Sequence, residues 1–97
     1  MTKADIIHEV SEKTGLTKVE IEAVFDGVII SISDSLKRGD RVDLRGFGSF
    51  LVKRRSARDA RNPATSEIIK LRERFIPAFK VSNILKKAVD KSLIRGF

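Results

Sequence analysis

The sequence predicts an α+β fold: two N-terminal helices, a three-stranded antiparallel sheet carrying a long protruding β-ribbon arm, and a C-terminal helix. Three observations predict it. Two helix-start signatures follow one another closely, each leading into apolar residues at helical spacing. The apolar period then switches from 3.6 to two after Asp40. Finally, a basic segment poor in apolar side chains interrupts the strands before aromatic residues resume.

Thr2 with Asp5 three residues later reads as a capping box, and Gly15 closes the helix it opens. Ile6, Ile7 and Val10 supply the apolar side of that helix. Thr17 with Glu20 opens a second, longer helix that stops at Gly39. Its stripe is Ile21, Val24, Phe25, Val28, Ile29, Ile32 and Leu36, while Val19, Ala23 and Ile30 lie on roughly the opposite side. A helix apolar on two sides needs two partners, and one short helix is not enough, so the pattern points to a dimer.

After "KRGD", Val42 and Leu44 alternate with Arg41, Asp43 and Arg45, a strand pattern. Gly46 and Gly48 bracket Phe47 at a tight connection, and a second strand starts at Ser49. Phe47, Phe50 and Val52 are expected in the core, because basic residues do not interleave with them as in a base-stacking surface. "FIPAFK" returns Phe75, Ile76 and Phe79 to that core. Ser82 is the expected N-cap of the last helix, with Leu85, Ala88, Val89 and Leu93 inward and Gly96 at its end.

Between Lys53 and Arg74 the apolar side chains are too few and too small to offset the entropy of ordering the segment. Its second half nevertheless alternates, Ile69 and Leu71 to one side and Lys70, Arg72 and Arg74 to the other. The segment reads as a two-stranded arm that turns near Asn62-Pro63-Ala64-Thr65 and is mobile until something holds it. The expected organisation is one domain over 1–97, with a body of 1–52 and 75–97 and an arm of 53–74.

Charge follows this division. Of a net +7, residues 1–52 carry seven Lys/Arg against nine Asp/Glu. Residues 53–74 carry eight against three, and residues 75–97 five against one. A local excess of this kind suits a polyanion-binding surface, although a merely solvated basic face has the same composition. A basic ribbon is narrow enough to enter a DNA groove. Pro63 is either the corner of a β-turn or a rigid apolar wedge between base pairs.

Enzyme chemistry finds no constellation. His8 is the only histidine and sits on an amphipathic helix without a triad arrangement, and the carboxylates Asp40 and Asp43 are weak evidence for a metal site. No phosphate-binding glycine loop is present, so no cofactor and no catalytic residue is expected. With no cysteine, disulfides and thiolate metal sites are excluded. No apolar run reaches the length of a membrane span, and a soluble, cytoplasmic chain is expected.

"GFGSF" at Gly46–Phe50, "RSARDARNPAT" at Arg55–Thr65 and "PAFK" at Pro77–Lys80 resemble the signature of the HU/IHF family of bacterial DNA-bending proteins, in order and over nearly the whole chain. The resemblance implies an intertwined dimer, a homodimer or half of a heterodimer, whose arms embrace double-stranded DNA in the nucleoid. It implies Pro63 as intercalating residue, with Arg55, Arg58, Arg61 and Asn62 in the minor groove. Lys53, Arg54, Lys70, Arg72 and Arg74 would meet phosphates along the arm. Lys3, the Gly46–Gly48 turn, Lys80 and Lys86 would do so on the body. The implied function is bending and compaction of DNA with little sequence preference.

Four departures from the family pattern stand out. Ala60 and Ser66 occupy positions where glycine is usual, at a cost of roughly 1–2 kcal/mol each if φ must be positive. Asn83 replaces a frequent lysine. The tail "KSLIRGF" runs past the usual end, where Lys91 and Arg95 add phosphate contacts or Leu93 and Phe97 pack. The rival readings are a sequence-preferring IHF-like subunit, an RNA-binding or ribosomal protein, and a structural dimer with an incidental basic arm. The lack of exposed aromatics for base stacking counts against the RNA reading.

Overall fold

The computed structural model describes residues 1–94. Their elements are α1 (Lys3–Thr14), α2 (Lys18–Lys37), β1 (Val42–Leu44), β2 (Gly48–Arg55), β3 (Arg58–Arg61), β4 (Ile68–Leu71), β5 (Arg74–Val81) and α3 (Asn83–Leu93). The order agrees with the α+β reading. The chain forms two compact units, Met1–Ser35 and the remainder from Leu36.

In the first unit both helix starts are capped as the sequence predicts. The Thr2 hydroxyl accepts from the Asp5 N–H at 3.3 Å, and the Asp5 carboxylate accepts from the Thr2 N–H at 2.8 Å. Two donors that the helix leaves without partners are thereby satisfied. Gly15, at φ 75°, ends α1 with its N–H donating to the Ser11 carbonyl at 2.9 Å. Thr17 starts α2, its hydroxyl accepting from the Glu20 N–H at 3.2 Å. Ile7 and Ile21 are buried, each 7% exposed. Of the rest of the α2 stripe, Phe25, Ile32 and Leu36 are half-buried and Val24, Val28 and Ile29 exposed, as are Val19 and Ile30 on the other side, as suits a helix that needs a partner beyond one chain.

In the second unit, β1, β2 and β5 form an antiparallel sheet with β2 in the middle. The register pairs Val42 with Phe50, Phe50 with Phe79, Val52 with Pro77 and Arg54 with Phe75. Because side chains alternate across a strand, these residues share one face. On it the Phe79 ring lies 5.3 Å from that of Phe47 and 4.9 Å from that of Phe50, tilted at 46° and 48°. Such tilted pairs are favoured by the ring quadrupoles. In the single chain, Phe50 and Val52 on this face are half-buried, whereas Phe47, Phe75 and Phe79 are exposed, Phe75 at 64%.

Two glycines are required by geometry. Gly46, at φ 83°, makes the β1–β2 turn possible. Gly48 lets β5 approach, since a Cβ there would lie 2.6 Å from the Lys80 carbonyl oxygen and 2.5 Å from the Phe79 ring. Ser82 joins this turn to α3. Its N–H donates to the Phe47 carbonyl and its hydroxyl to the Gly46 carbonyl, both at 2.9 Å, while the hydroxyl accepts from the Leu85 N–H at 3.1 Å. The helix ends at Leu93 with Ile94 as cap, so it stops before Gly96. The expectations for Arg95, Gly96 and Phe97 fall outside the described residues. Ala88, Val89 and Leu93, expected inward, are exposed, and Leu85 is half-buried.

The β2–β5 ladder runs to Arg55 opposite Arg74 and then breaks. Ser56–Ala57 and Arg72–Glu73 belong to no strand, and pairing resumes as a separate two-stranded ribbon of β3 and β4. The alternation expected without interruption from Ile69 to Arg74 is therefore cut at Arg72. The tip is an α-turn in which the Ser66 N–H donates to the Asn62 carbonyl at 2.7 Å, and the Asn62 N–H to the Glu67 carbonyl at 2.8 Å. Ser66 has φ 61°, the strained region for a non-glycine residue. Ala60 lies in β3 and is not among the residues of positive φ.

The Asp43 carboxyl is held below the usual carboxylate range by hydrogen bonds from the Ser49 hydroxyl and the Arg41 guanidinium. Its lowered native pKa contributes stability above the unfolded value of about 3.9 that is lost as pH falls through the native one. In urea titrations Asp43→Asn therefore loses less stability than the parent on acidification from pH 5 to pH 2. At the tip, Ser66→Gly removes about 1 kcal/mol of strain and slows amide hydrogen exchange in β3 and β4.

Candidate nucleic-acid interface

The sheet register separates charge from aromatic surface. Opposite the aromatic face, Lys53 and Arg55 of β2 share a side with Arg74, Ile76, Ala78 and Lys80 of β5. Four of the expected contact residues, Lys53, Arg55, Arg74 and Lys80, are thus brought onto one face. Arg54 is not with them. It lies on the aromatic side opposite Phe75 and its guanidinium pairs with the Glu73 carboxylate at 2.9 Å.

In the ribbon the same alternation divides the arginines. Arg58 shares a face with Ala60, Ile69 and Leu71, whereas Arg61 shares the other with Asp59, Ile68 and Lys70. Asp59 stands directly opposite Lys70, an opposite-charge cross-strand pair. Arg72 lies in the break between β4 and β5. A spacing of three in a period-two strand makes this outcome unavoidable: Arg58 and Arg61 point to opposite sides.

At the tip the Asn62 side-chain carbonyl accepts from the Ala64 N–H at 2.9 Å. This Asx-turn clamps the peptide on either side of Pro63. The amide NH2 of Asn62 stays available to an acceptor, and Pro63 is exposed at the end of the ribbon. The ring is therefore presented outward by a turn that Asn62 closes with three internal hydrogen bonds.

On the body, Lys80, Arg41, Arg45 and Asn83 line an open cavity where the β1–β2 turn meets the start of α3. The Asn83 and Ile84 N–H groups there, at the first two positions of α3, have no intrahelical acceptor, and the helix terminus favours an anion. Gly46 and Gly48 edge the same cavity, but their roles are conformational. Sequence reasoning missed Arg45 and Arg41, which it read only as the outward positions of a strand. Arg45 lies in the β1–β2 turn beside Gly46, and that adjacency was the signal. Lys86 lines a second shallow cavity on α3 with Lys87 and Asn83.

Lys3, at the first helical position of α1, is engaged: its ammonium lies 2.7 Å from an Asp26 oxygen and 3.8 Å from a Glu22 oxygen. The hydrogen bond to Asp26 is the main cause of its raised pKa. Any phosphate contact at Lys3 has to compete with that carboxylate. Among the described residues no group of three His, Cys, Asp or Glu could hold a metal ion, and no helix is long and apolar enough to cross a membrane.

Residues 1–90 match the family described as bacterial DNA-binding protein. The chain is 44% identical over 90 residues to DNA-binding protein HU-beta of Serratia marcescens, covering 93% of this chain and all of that one. It is 46% identical over 87 residues to DNA-binding protein HU of Streptococcus mutans, covering 90% and 96%. Integration host factor subunit alpha of Anaeromyxobacter is 40% identical over 92 residues, covering 95% and 93%. A cocrystal structure of Anabaena HU with DNA superposes with a TM-score of 0.84 at 35% identity, covering 92% of this chain and 97% of that one. With its basic face, its β-ribbon and these relatives over nearly its full length, the chain belongs to the HU/IHF family of bacterial DNA-binding proteins, a family of architectural proteins and not of enzymes.

Proposed function

We propose that two copies of this chain form an HU-type protein of the nucleoid that bends and compacts double-stranded DNA with little sequence preference. The observation that carries the reading is the ribbon, basic along its length and ending in an exposed Pro63 held by an Asx-turn. In this reading residues 53–74 act as the arm and the remainder as the body of one domain. Arg55, Arg58, Arg61 and Asn62 enter the minor groove, which attracts cations where it is narrow. Lys53, Lys70, Arg72 and Arg74 neutralise phosphates, and Arg54 joins them on release from Glu73. On the body, Lys80 and Lys86 flank the α3 terminus, and Lys3 binds by exchanging Asp26 for a phosphate. Pro63 wedges between base pairs and kinks the duplex, as apolar side chains do in minor-groove benders.

Dimerisation is supported by apolar surface. Val24, Val28 and Ile29 of α2 and Phe47, Phe75 and Phe79 of the sheet are exposed together, and contiguous exposed apolar surface of this kind marks an interaction site. A homodimer needs no second gene product, and the same faces would accept a related subunit. The IHF-like alternative is favoured by the 40% identity to an integration host factor subunit, close to the values for the HU relatives. Competition between random and site-bearing DNA separates the two, since a sequence-preferring subunit retains its site against excess random duplex.

Pro63→Ala is expected to retain most of the affinity and lose bend angle, because the wedge is removed and the charges stay. An energy-transfer measurement on an end-labelled duplex reads this, and an unchanged angle removes Pro63 from the wedge role. Arg58→Ala and Arg61→Ala should each weaken binding and flatten the plot of log K against log salt, by about 0.9 for every phosphate no longer neutralised. A slope equal to that of the parent assigns those arginines elsewhere.

A further inference from the structure

We propose that the exposed side of α3, from Lys87 to Ile94, is a docking face for an anionic lipid bilayer. This goes beyond the DNA-bending reading and does not depend on it. The match to the family ends at residue 90, whereas α3 runs on to Leu93 with Ile94 as its cap. The added turn presents apolar side chains to water: Leu93 is 73% exposed and Ile94 61%. Val89, one turn before Leu93, is exposed as well.

Lysines border this patch. Lys87 and Lys91 are four residues apart and so share one side of the helix. Among the described residues neither they nor Lys86 belongs to an ion pair. Asp90 is the only acid of α3. Lys86, Lys87, Val89, Asp90, Leu93 and Ile94 border one shallow cavity, with Lys86 at the end nearest the proposed DNA contacts.

Two features select a bilayer as the occupant. The lysine excess complements anionic headgroups. The cavity is bordered by α3 and its cap alone, and every residue from Lys86 to Ile94 is exposed, so no second element walls in a seat for a folded partner. A yielding interface needs no such wall. Leu93 and Ile94 enter the boundary of the acyl chains, while the lysine stems lie along it and keep their ammonium groups among the headgroups. In the DNA-bending reading, the same chain then carries a duplex-binding arm and a bilayer-binding helix.

The test is co-sedimentation of the 97-residue protein with phosphatidylcholine vesicles, with and without phosphatidylglycerol, at low salt. Binding only to the vesicles that contain phosphatidylglycerol is expected. Leu93→Ser combined with Ile94→Ser should weaken it about tenfold. Lys87→Gln combined with Lys91→Gln should weaken it and flatten its salt dependence. Equal binding by the double serine variant means that the basic ribbon alone attracts the bilayer, and overturns the proposal. Equal binding to the neutral vesicles overturns it too. A parent protein that binds neither kind leaves the face to an acidic protein and overturns the lipid assignment. A double serine variant of lower mass than the parent gives the face to a second copy, with the same consequence.

A second measurement does not require the serine variant to fold. The chain has no tryptophan, so Leu93→Trp provides a single reporter that keeps an apolar side chain at the face. Its emission should shift to the blue when phosphatidylglycerol vesicles are added. Co-sedimentation without that shift places residue 93 outside the bilayer and overturns the proposal.

Discussion

Apolar surface without a cover is the constraint on which the rest depends. Of the described side chains only Ile7 and Ile21 form a buried hydrophobic core. Burial of apolar area is the main favourable term in folding, and a small chain has little to spare. Val24, Val28 and Ile29 of α2, and Phe47, Phe75 and Phe79 of the sheet, leave part of that term unrealised in a lone subunit. In the proposed dimer a second copy would supply the missing partner surface, and each copy would add one ribbon to the assembly. In this proposal, two arms are a consequence of the incomplete core.

Once the aromatic residues are committed to one face, period-two alternation leaves Lys53, Arg55, Arg74 and Lys80 on the other. The same rule splits Arg58 from Arg61 in the ribbon. A ribbon that carries cations on both faces can meet both walls of a groove, which a one-sided patch cannot. Its inner ladder is short and its stability marginal, as expected of a two-stranded element. Local bonds compensate at the tip, where Asn62 alone makes three: one from its side chain and two from its backbone. Ser66 holds a left-handed conformation there at an energetic cost that the tip bonds offset.

Much of the fold was legible because its signals are local. Thr2 with Asp5, Thr17 and Ser82 each cap the helix assigned to them, and the change of period after Asp40 marks the first strand. The turn at Pro63 was legible for the same reason. What escaped the sequence depends on the pairing of distant residues. The break at Ser56–Ala57 follows the Arg55–Arg74 rung, where the ladder ends, and the need for Gly48 comes from the approach of Lys80 and Phe79. Neither pairing can be read without the register. Phe47 and Phe79 read as core residues, but which chain covers them is not written in their spacing, and the described chain leaves both exposed. The engagement of Lys3 by Asp26 also required coordinates, since the two are far apart in sequence.

The most direct measurement is sedimentation equilibrium over a hundredfold range of protein concentration, combined with thermal unfolding at each concentration. A shared core requires the mass of two chains and a Tm that rises with concentration, because unfolding is then linked to dissociation. A mass of one chain with a sharp, concentration-independent Tm would contradict it.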